Sequence, residues 1–249
     1  FTKISLRRGE FLVTMIRIGT IKYVHGQKVF PEYDGFKRIE VMTYSSKYGS
    51  IGPYCLKDKD GKIMENIWQS CKVYPKVPKS IQRYSRYNQH IIWNHPEEVH
   101  VDENDIPNEK YWKWREKLAN NKYPVRYPVT FSKEARASCI YSIWEGHKYG
   151  YVDARKHVYK PVYIHLVKNT PQFKELQEMI SKGINLLIVE VDGPREESLE
   201  YYKDKYDVSD DFIENRTILA TEDNLNIMLN DTKHPFGHGY CLAMALLDM

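Results

Sequence analysis

Residues 63–74 of the chain are Ile63-Met64-Glu65-Asn66-Ile67-Trp68-Gln69-Ser70-Cys71-Lys72-Val73-Tyr74. The stretch follows a turn-like segment, and its pattern predicts a helix. Glu65, Trp68, Gln69 and Lys72 stand at i, i+3, i+4 and i+7, which is one face of a helix. An ordinary amphipathic helix carries leucines there. A face with an acid, an indole, an amide and an amine is either a solvated surface or the wall of a pocket.

The composition sets bounds on the fold and on the class of partner. With 249 residues, 42% of them hydrophobic, the chain can form one large domain or two small ones. A net charge of +4 suits a phosphate-bearing ligand but does not by itself indicate nucleic acid. The four cysteines lack zinc-type spacing, and no apolar run approaches the about 20 residues of a membrane span. We therefore expect a cytoplasmic protein with reduced thiols, no metal or other cofactor and no membrane partner.

The pattern along the chain predicts both strands and helices. Strands are expected at 15–24, 37–44 and 185–191. Helices are expected at 63–74, 109–118, 133–145, 151–167, 172–181 and 221–230, followed by an apolar closing segment at 241–247. Pro161 predicts a kink, and Thr170 and Thr221 predict N-caps.

Other stretches predict loops or segments outside the main fold. A Gly- and Ser-rich loop is expected at 45–54, and a Gly- and His-rich loop at 231–240. Residues 193–215 are acidic and rich in tyrosine, which favours a surface insertion or a flap. Met15 opens a cleaner beginning than Phe1, so residues 1–14 are expected to be a leader outside the native fold.

Three carboxylates stand in unusual places: Glu65 on the first helix, Glu190 at the end of an apolar strand and Asp231 before a glycine loop. Paired carboxylates in different environments can act as an acid and as a stabiliser of a cationic transition state. Cleavage of an N-glycosidic bond passes through such a state. From the residues alone, ion pairs and helix caps are the commoner roles of such acids.

Other candidate sites are weaker. The chain contains no P-loop, GxGxxG, GxSxG or zinc-deaminase pattern. Cys71 fits a packing residue better than a nucleophile. His95 and His100 with neighbouring acids suggest a metal site, but Pro96 breaks the helix that would align them. Arg126, in an extended segment between prolines, can clamp a phosphate or lie at the surface.

Residues 65–72 resemble the signature of the NADAR family, in which a helix-opening glutamate is followed by an aromatic residue, a glutamine and a lysine at this spacing. The Ser-rich loop, short apolar segment and turn before Glu65 are also similar. Two further blocks follow in the family's order. They are Asn169-Thr170-Pro171-Gln172-Phe173 with the strand ending in Glu190, and Asp231 with Phe236-Gly237-His238-Gly239.

The chain departs from the family pattern at several positions. Asn66 stands where histidine is usual and Phe236 where tryptophan is usual, and Asp231 lies five residues before Phe236 instead of three. Extra segments also lie near 75–130 and 193–225.

The resemblance implies an α+β fold, with a single, mostly helical domain and a small sheet over residues 15–249. It also implies N-glycosidase activity on a nucleotide, an ADP-ribose adduct or a modified nucleobase, including one within nucleic acid. Glu65, Glu190 and Asp231 would be the catalytic residues. The substrate-binding residues would be Trp68, Gln69, Lys72, Ser46, Tyr54, Arg126, Phe236 and Gly237.

Two alternatives stay open at this point. The protein can transfer the glycosyl or nucleotide group to an acceptor other than water. It can also be a non-catalytic relative that binds DNA or RNA through the Arg- and Tyr-rich segment 80–90, the Trp-rich helix 109–118 and Arg126.

Overall fold

The structure, a computed structural model, describes residues 14–83 and 92–249 and the backbone of two short strands in the N-terminal segment. The predicted leader, residues 1–14, therefore lies almost wholly outside the described residues. So does most of the Arg- and Tyr-rich segment 80–90.

Helices and small sheets together confirm the predicted α+β class. In chain order, the strands are β1 (Ile4–Ser5), β2 (Phe11–Leu12), β3 (Ile16–Thr20), β4 (Lys22–Val24), β5 (Gln27–Val29), β6 (Phe36–Glu40), β7 (Lys72–Val73), β8 (Lys76–Val77), β9 (Ser80–Gln82), β10 (Trp93–His95), β11 (Glu98–Val99), β12 (Tyr141–Trp144), β13 (His147–Tyr149), β14 (Asn185–Glu190) and β15 (Thr217–Leu219). The α-helices are α1 (Met64–Ser70), α2 (Glu109–Ala119), α3 (Lys133–Ala137), α4 (Tyr151–Ala154), α5 (Lys160–Val167), α6 (Pro171–Ser181), α7 (Leu199–Tyr206), α8 (Glu222–Asn230) and α9 (His238–Leu246). Short 3₁₀ helices lie at Gly49–Ile51 and Glu196–Ser198, and a π-helical segment lies at Arg155–Tyr159.

The chain divides into two compact units. We call them the sheet unit, Phe1–Gly52 with Tyr163–Met249, and the aromatic unit, Pro53–Val162.

The sheet unit is built on four strands in the order β15-β3-β14-β6. β14 is parallel to both β3 and β6, while β15 is antiparallel to β3. In the centre of the sheet, Ile188 pairs with Ile18 and Ile39, and all three side chains are buried. Parallel strands are commonly covered on both faces, which explains why residues 185–191 are a nearly continuous apolar run.

The carboxyl ends of the three parallel strands meet at one edge of this sheet. Thr20, Glu40 and Glu190 are the last residues of β3, β6 and β14. Helix α9 packs against β3 and β14. Because side chains alternate along a strand, Leu186, Ile188 and Glu190 share one face of β14. The fold therefore places Glu190 at the carboxyl edge, on the face that meets α9.

The aromatic unit has a core of large rings. Its buried cluster contains Tyr74, Trp93, Tyr111 and Trp114, together with the aliphatic residues Val73, Val77, Val101, Leu118, Val125, Val129 and Ile143. Most of these residues belong to segment 75–130, which the sequence analysis treats as an insertion. The segment therefore forms much of the core of this unit.

The helix predicted at 133–145 is wrong beyond Ala137. Residues Tyr141–Trp144 instead form β12, which pairs with β7 on one side and with β13 on the other. Glu145 and Gly146 both have positive φ, 49° and 81°, as a two-residue hairpin turn requires. Non-local strand pairing and this turn outweigh the local helical pattern.

The segment 193–215, interpreted as a surface insertion or a flap, is not wholly at the surface. The segment contains α7, and Tyr202, Phe212 and Ile213 are buried. Tyr202 therefore belongs to the core of the sheet unit.

The predicted kink at Pro161 is a change of helical register. Proline has no backbone N–H, so an α-helical bond to the carbonyl four residues earlier cannot form. The π-helical segment Arg155–Tyr159 lies directly before it, between α4 and α5. Such segments are frequent at functional sites.

Candidate functional site

Helix α1 is held by the loop before it. The Met64 amide donates to the Leu56 carbonyl at 2.9 Å, and the Glu65 amide donates to the Pro53 carbonyl at 2.9 Å. These contacts satisfy N–H groups that a helix N-terminus leaves without an intrahelical partner. Every residue of α1 is buried. The polar face predicted for this stretch is therefore not a solvated surface.

The predicted set on α1 is brought together, although one member lies outside the helix. Helix α1 ends at Ser70, and Lys72 begins β7 because it pairs with Ser142 of β12. The Lys72 ammonium nevertheless donates to the Gln69 carbonyl oxygen at 2.9 Å. The Gln69 amide donates in turn to Glu65 Oε1 at 2.9 Å. The result is an ordered chain from an ammonium through an amide to a carboxylate.

Aromatic rings border this polar chain. The Lys72 Nζ lies 4.7 Å from the Trp68 ring centroid, within the range of a cation–π contact. Tyr159 meets Trp68 edge to face at a centroid distance of 5.3 Å. Tyr151 lies 6.5 Å from Trp68, and the Arg155 guanidinium lies 4.5 Å from the Tyr151 centroid. Tyr151 of α4 and Tyr159 of the π-helical segment thus lie beside Trp68, and Arg155 adds a second cation next to Tyr151.

Asn66, which stands where the NADAR pattern has histidine, has a structural role. Its side chain is buried and donates to the carbonyls of Asn121 and Tyr123, both at 3.0 Å. It also accepts from the Val125 amide at 2.8 Å. Asn66 therefore fastens residues 121–125 to α1, and histidine has no amide group with which to repeat this set.

We expect Asn66→Ala to lower the free energy of unfolding by about 2 kcal/mol, because it removes three hydrogen bonds, among them the one to the amide of the buried Val125. Chemical unfolding followed by circular dichroism measures this loss. Asn120→Ala is the matched control, because Asn120 is exposed and its side chain bonds to a single carbonyl of its own helix. Equal stability of the two variants would contradict the structural role of Asn66.

The Glu190 carboxyl group bonds to backbone amides in the first turn of α9. Its Oε1 accepts from the Gly239 amide at 3.0 Å, and the Tyr240 amide contributes a second backbone hydrogen bond. Burial raises the pKa of Glu190 well above its ordinary value, and burial lowers the pKa of His238. The His238 Nε2 donates to the Val41 carbonyl at 2.8 Å, so its unprotonated Nδ1 faces Glu190 Oε2 at 3.4 Å. A protonated carboxyl group beside a neutral imidazole fits this arrangement.

Gly237 and Gly239 make this approach possible. A Cβ at Gly237 would lie 2.5 Å from the Glu190 carboxyl carbon, and one at Gly239 would lie 2.7 Å from Oε1. The Gly-His-Gly sequence of the predicted loop therefore serves the close packing of a buried acid against a helix N-terminus.

Asp231 lies in a different hydrogen-bond network of the same unit. It accepts from the hydroxyls of Tyr201 and Tyr202, at 2.6 and 2.8 Å, and from the backbone N–H of Lys233 at 3.0 Å. His234 Nδ1 lies 2.6 Å from its Oδ2. Burial opposes ionisation of Asp231, but the hydrogen bonds from these groups outweigh it and lower its pKa to about 2.

The remaining predicted residues occupy varied positions. Ser46 is exposed in the sheet unit, and Tyr54 is half-buried in the aromatic unit. Arg126 is exposed, with its guanidinium 4.9 Å from the Tyr127 ring centroid. Phe236 is buried and stacks on Tyr240 at 5.1 Å.

Neither thiol chemistry nor a metal cluster is indicated for the described part of the chain. Burial raises the pKa of the Cys71 thiol to about 11, which fits its interpretation as a packing residue. His95 and His100 each approach the Glu98 carboxylate at 3.4 Å. Within residues 14–83 and 92–249, no three His, Cys, Asp or Glu side chains are grouped so that they could hold a metal ion.

Known proteins add nothing to this geometry. Comparisons with protein-family models, with curated proteins and with solved structures give no match. The resemblance to the NADAR family therefore stays a prediction. Of the helices described, none is long and apolar enough to cross a membrane.

Several residues of both networks were not predicted from the sequence. Tyr151 and Tyr159 lie near Trp68 and Arg155 lies near Tyr151, in a segment that the sequence predicts only as a kinked helix. Tyr201 and Tyr202 hold Asp231 from a segment interpreted as an insertion. The high tyrosine content was the available signal for these contacts. A tyrosine hydroxyl that enters a core needs a polar partner, and a buried carboxylate can be that partner.

Proposed function

We propose that the protein is an N-glycosidase-like enzyme that cleaves a base–ribose bond, with Glu65 as its catalytic carboxylate. The substrate class is a nucleotide, an ADP-ribose adduct or a modified nucleobase. The observation that carries the proposal is the ordered chain Lys72–Gln69–Glu65 beside the Trp68 ring. An acid, a cation and a flat aromatic surface on one side of α1 match the three parts of such a substrate.

Each member of the chain has a chemical task in this proposal. As the base departs, positive charge develops on the ribose ring, and the Glu65 carboxylate stabilises it. The Gln69 amide donates to one carboxylate oxygen, which fixes the orientation of the group before the reaction. Lys72 orients the Gln69 amide and supplies positive charge for a phosphate. Trp68 offers a face for the base.

Glu190 and Asp231, the other carboxylates proposed from the sequence, have structural tasks in the sheet unit. Their catalytic roles stay predictions, and the proposal does not depend on them. The nucleic-acid alternative has less support, because α2 directs Tyr111 and Trp114 into the core and leaves Trp112 as its exposed aromatic ring.

The test is release of free base from nucleosides, nucleotides and ADP-ribosylated bases, measured by liquid chromatography. We expect Glu65→Gln to slow release at least about 100-fold, because the amide keeps the size of the side chain but removes the charge. Glu116→Gln is the control, since Glu116 is an exposed acid of the same unit and its loss should leave the rate unchanged.

Two results would contradict the proposal. One is a Glu65→Gln variant with the rate of the unmodified protein, and the other is no release of base from any of these compounds. The sugar product identifies the acceptor: ribose, ribose phosphate or ADP-ribose with a free C1 hydroxyl indicates transfer to water, and a new glycoside indicates transfer to another group.

A further inference from the structure

Trp68 and the two aromatic rings beside it, Tyr159 and Tyr151, differ in how deeply they are buried. Trp68 is 8% exposed and packs edge to face against the buried Tyr159, with 63° between the ring planes. Tyr151 lies on another side of the group and is 56% exposed. Trp68 and Tyr159 therefore form a buried pair, while Tyr151 is exposed at the surface.

The Trp68 and Tyr151 rings are within contact range of each other, and the distance between their centroids is close to what a third ring placed between them needs. Their centroids are 6.5 Å apart, and their planes are tilted by 44°. Carbon atoms in contact lie about 3.5 Å apart, so a planar ring between two others needs them about 7 Å apart. A small shift of the exposed Tyr151 ring, with a turn that makes the planes parallel, creates this space.

Charged groups lie next to both rings. The Lys72 ammonium lies over the Trp68 ring and is bonded to Gln69. The guanidinium of Arg155, whose residue is only 2% exposed, lies against the Tyr151 ring and positions it. Glu65 precedes Trp68 by three residues on α1, so the two side chains share a helix face. A base held against Trp68 therefore places its sugar beside the carboxylate.

We infer that Tyr151 and Trp68 form a clamp that holds the nucleobase of the substrate between their rings. The inference rests on the proposed function and deepens it, because it assigns recognition to the base and makes Tyr151 a specificity-determining residue. Stacking is tolerant of base identity, because every base has a flat face. The clamp thus selects nucleosides over sugar phosphates that lack a base.

Isothermal titration calorimetry with adenosine and with ribose 5-phosphate tests the clamp without any need for turnover. We expect adenosine to bind about 10-fold more weakly to Tyr151→Ala, because one stacking contact is lost. Tyr151→Phe keeps the ring and should bind within about 2-fold of the unmodified protein. Tyr149→Ala is the matched control, since Tyr149 stacks on His157 instead. Ribose 5-phosphate should bind equally to all four proteins.

Thermal unfolding of each variant checks that the fold is kept. We expect it to be kept in the Tyr151 variants, because Tyr151 is exposed. Equal adenosine affinity in Tyr151→Ala and the unmodified protein would overturn the clamp, as would an equal loss in Tyr149→Ala. If the protein releases base and Tyr151→Ala binds adenosine as the unmodified protein does, the clamp is overturned and the proposed cleavage stands. Ring-dependent binding without any release of base would support the clamp and contradict the cleavage.

Discussion

Replacing Gly237 by alanine is expected to lower the free energy of unfolding by about 4 kcal/mol. The backbone at Gly237, φ −87° and ψ 173°, is open to any residue, so the cost does not come from strain in the main chain. It comes from Glu190, whose carboxyl carbon would lie 2.5 Å from the new Cβ. The carboxyl group is buried at the end of a central strand. If it moves aside, the Gly239 amide loses its acceptor.

A matched glycine separates this clash from the ordinary effect of alanine. Gly150 precedes α4 as Gly237 precedes α9, has a similar extended backbone and has nothing within 4 Å of an added Cβ. Gly150→Ala should therefore cost no more than about 1 kcal/mol. Hydrogen exchange of the α9 amides gives a local measurement beside chemical unfolding, and exchange should become faster in Gly237→Ala.

A double-mutant cycle identifies the group responsible. On a Glu190→Ala background the clashing carboxyl group is absent, so Gly237→Ala should cost less than about 1 kcal/mol. If the costs of the two substitutions simply add, the carboxyl group is not what requires glycine at position 237.

The parts of the fold that the sequence predicted are those with local causes. The caps at Thr170 and Thr221 bond to amides three residues ahead, and both helices begin within one residue of the predicted start. The apolar run at 185–191 also identified the buried strand. The strand at Tyr141–Trp144 was missed because one of its two partners, β7, lies about 70 residues earlier and because the turn to the other, β13, was not recognised in the sequence.

The candidate site was predictable only in part, namely where its residues are close together in the sequence. Glu65, Trp68 and Gln69 lie on one helix, so their proximity follows from helical spacing. Lys72 reaches the same face from the following strand. Tyr151 and Arg155 arrive from a segment about 85 residues further along the chain, and no spacing within either segment predicts that contact.

Replacing Asp231 by asparagine is expected to lower the free energy of unfolding by about 3 kcal/mol at neutral pH. Both oxygens of this buried carboxylate accept hydrogen bonds, among them those from Tyr201 and Tyr202. Asparagine keeps the shape but replaces one acceptor with an NH₂ donor, which then faces another donor. Asp223→Asn is the control in the same unit, because Asp223 is exposed on α8 and should change stability by less than about 0.5 kcal/mol.

The loss should depend on pH in a defined window. The folded pKa of Asp231 is about 2, below its ordinary value of 3.8, so the folded state favours the ionised carboxylate. The resulting stabilisation, about 2 kcal/mol, is fully present above about pH 4 and disappears as the pH falls towards 2. Unfolding by urea at several pH values should show the gap between the unmodified protein and Asp231→Asn narrowing across that window. A constant gap from pH 6 to pH 2 would mean that the hydrogen bonds of Tyr201 and Tyr202 do not depend on the charge of Asp231.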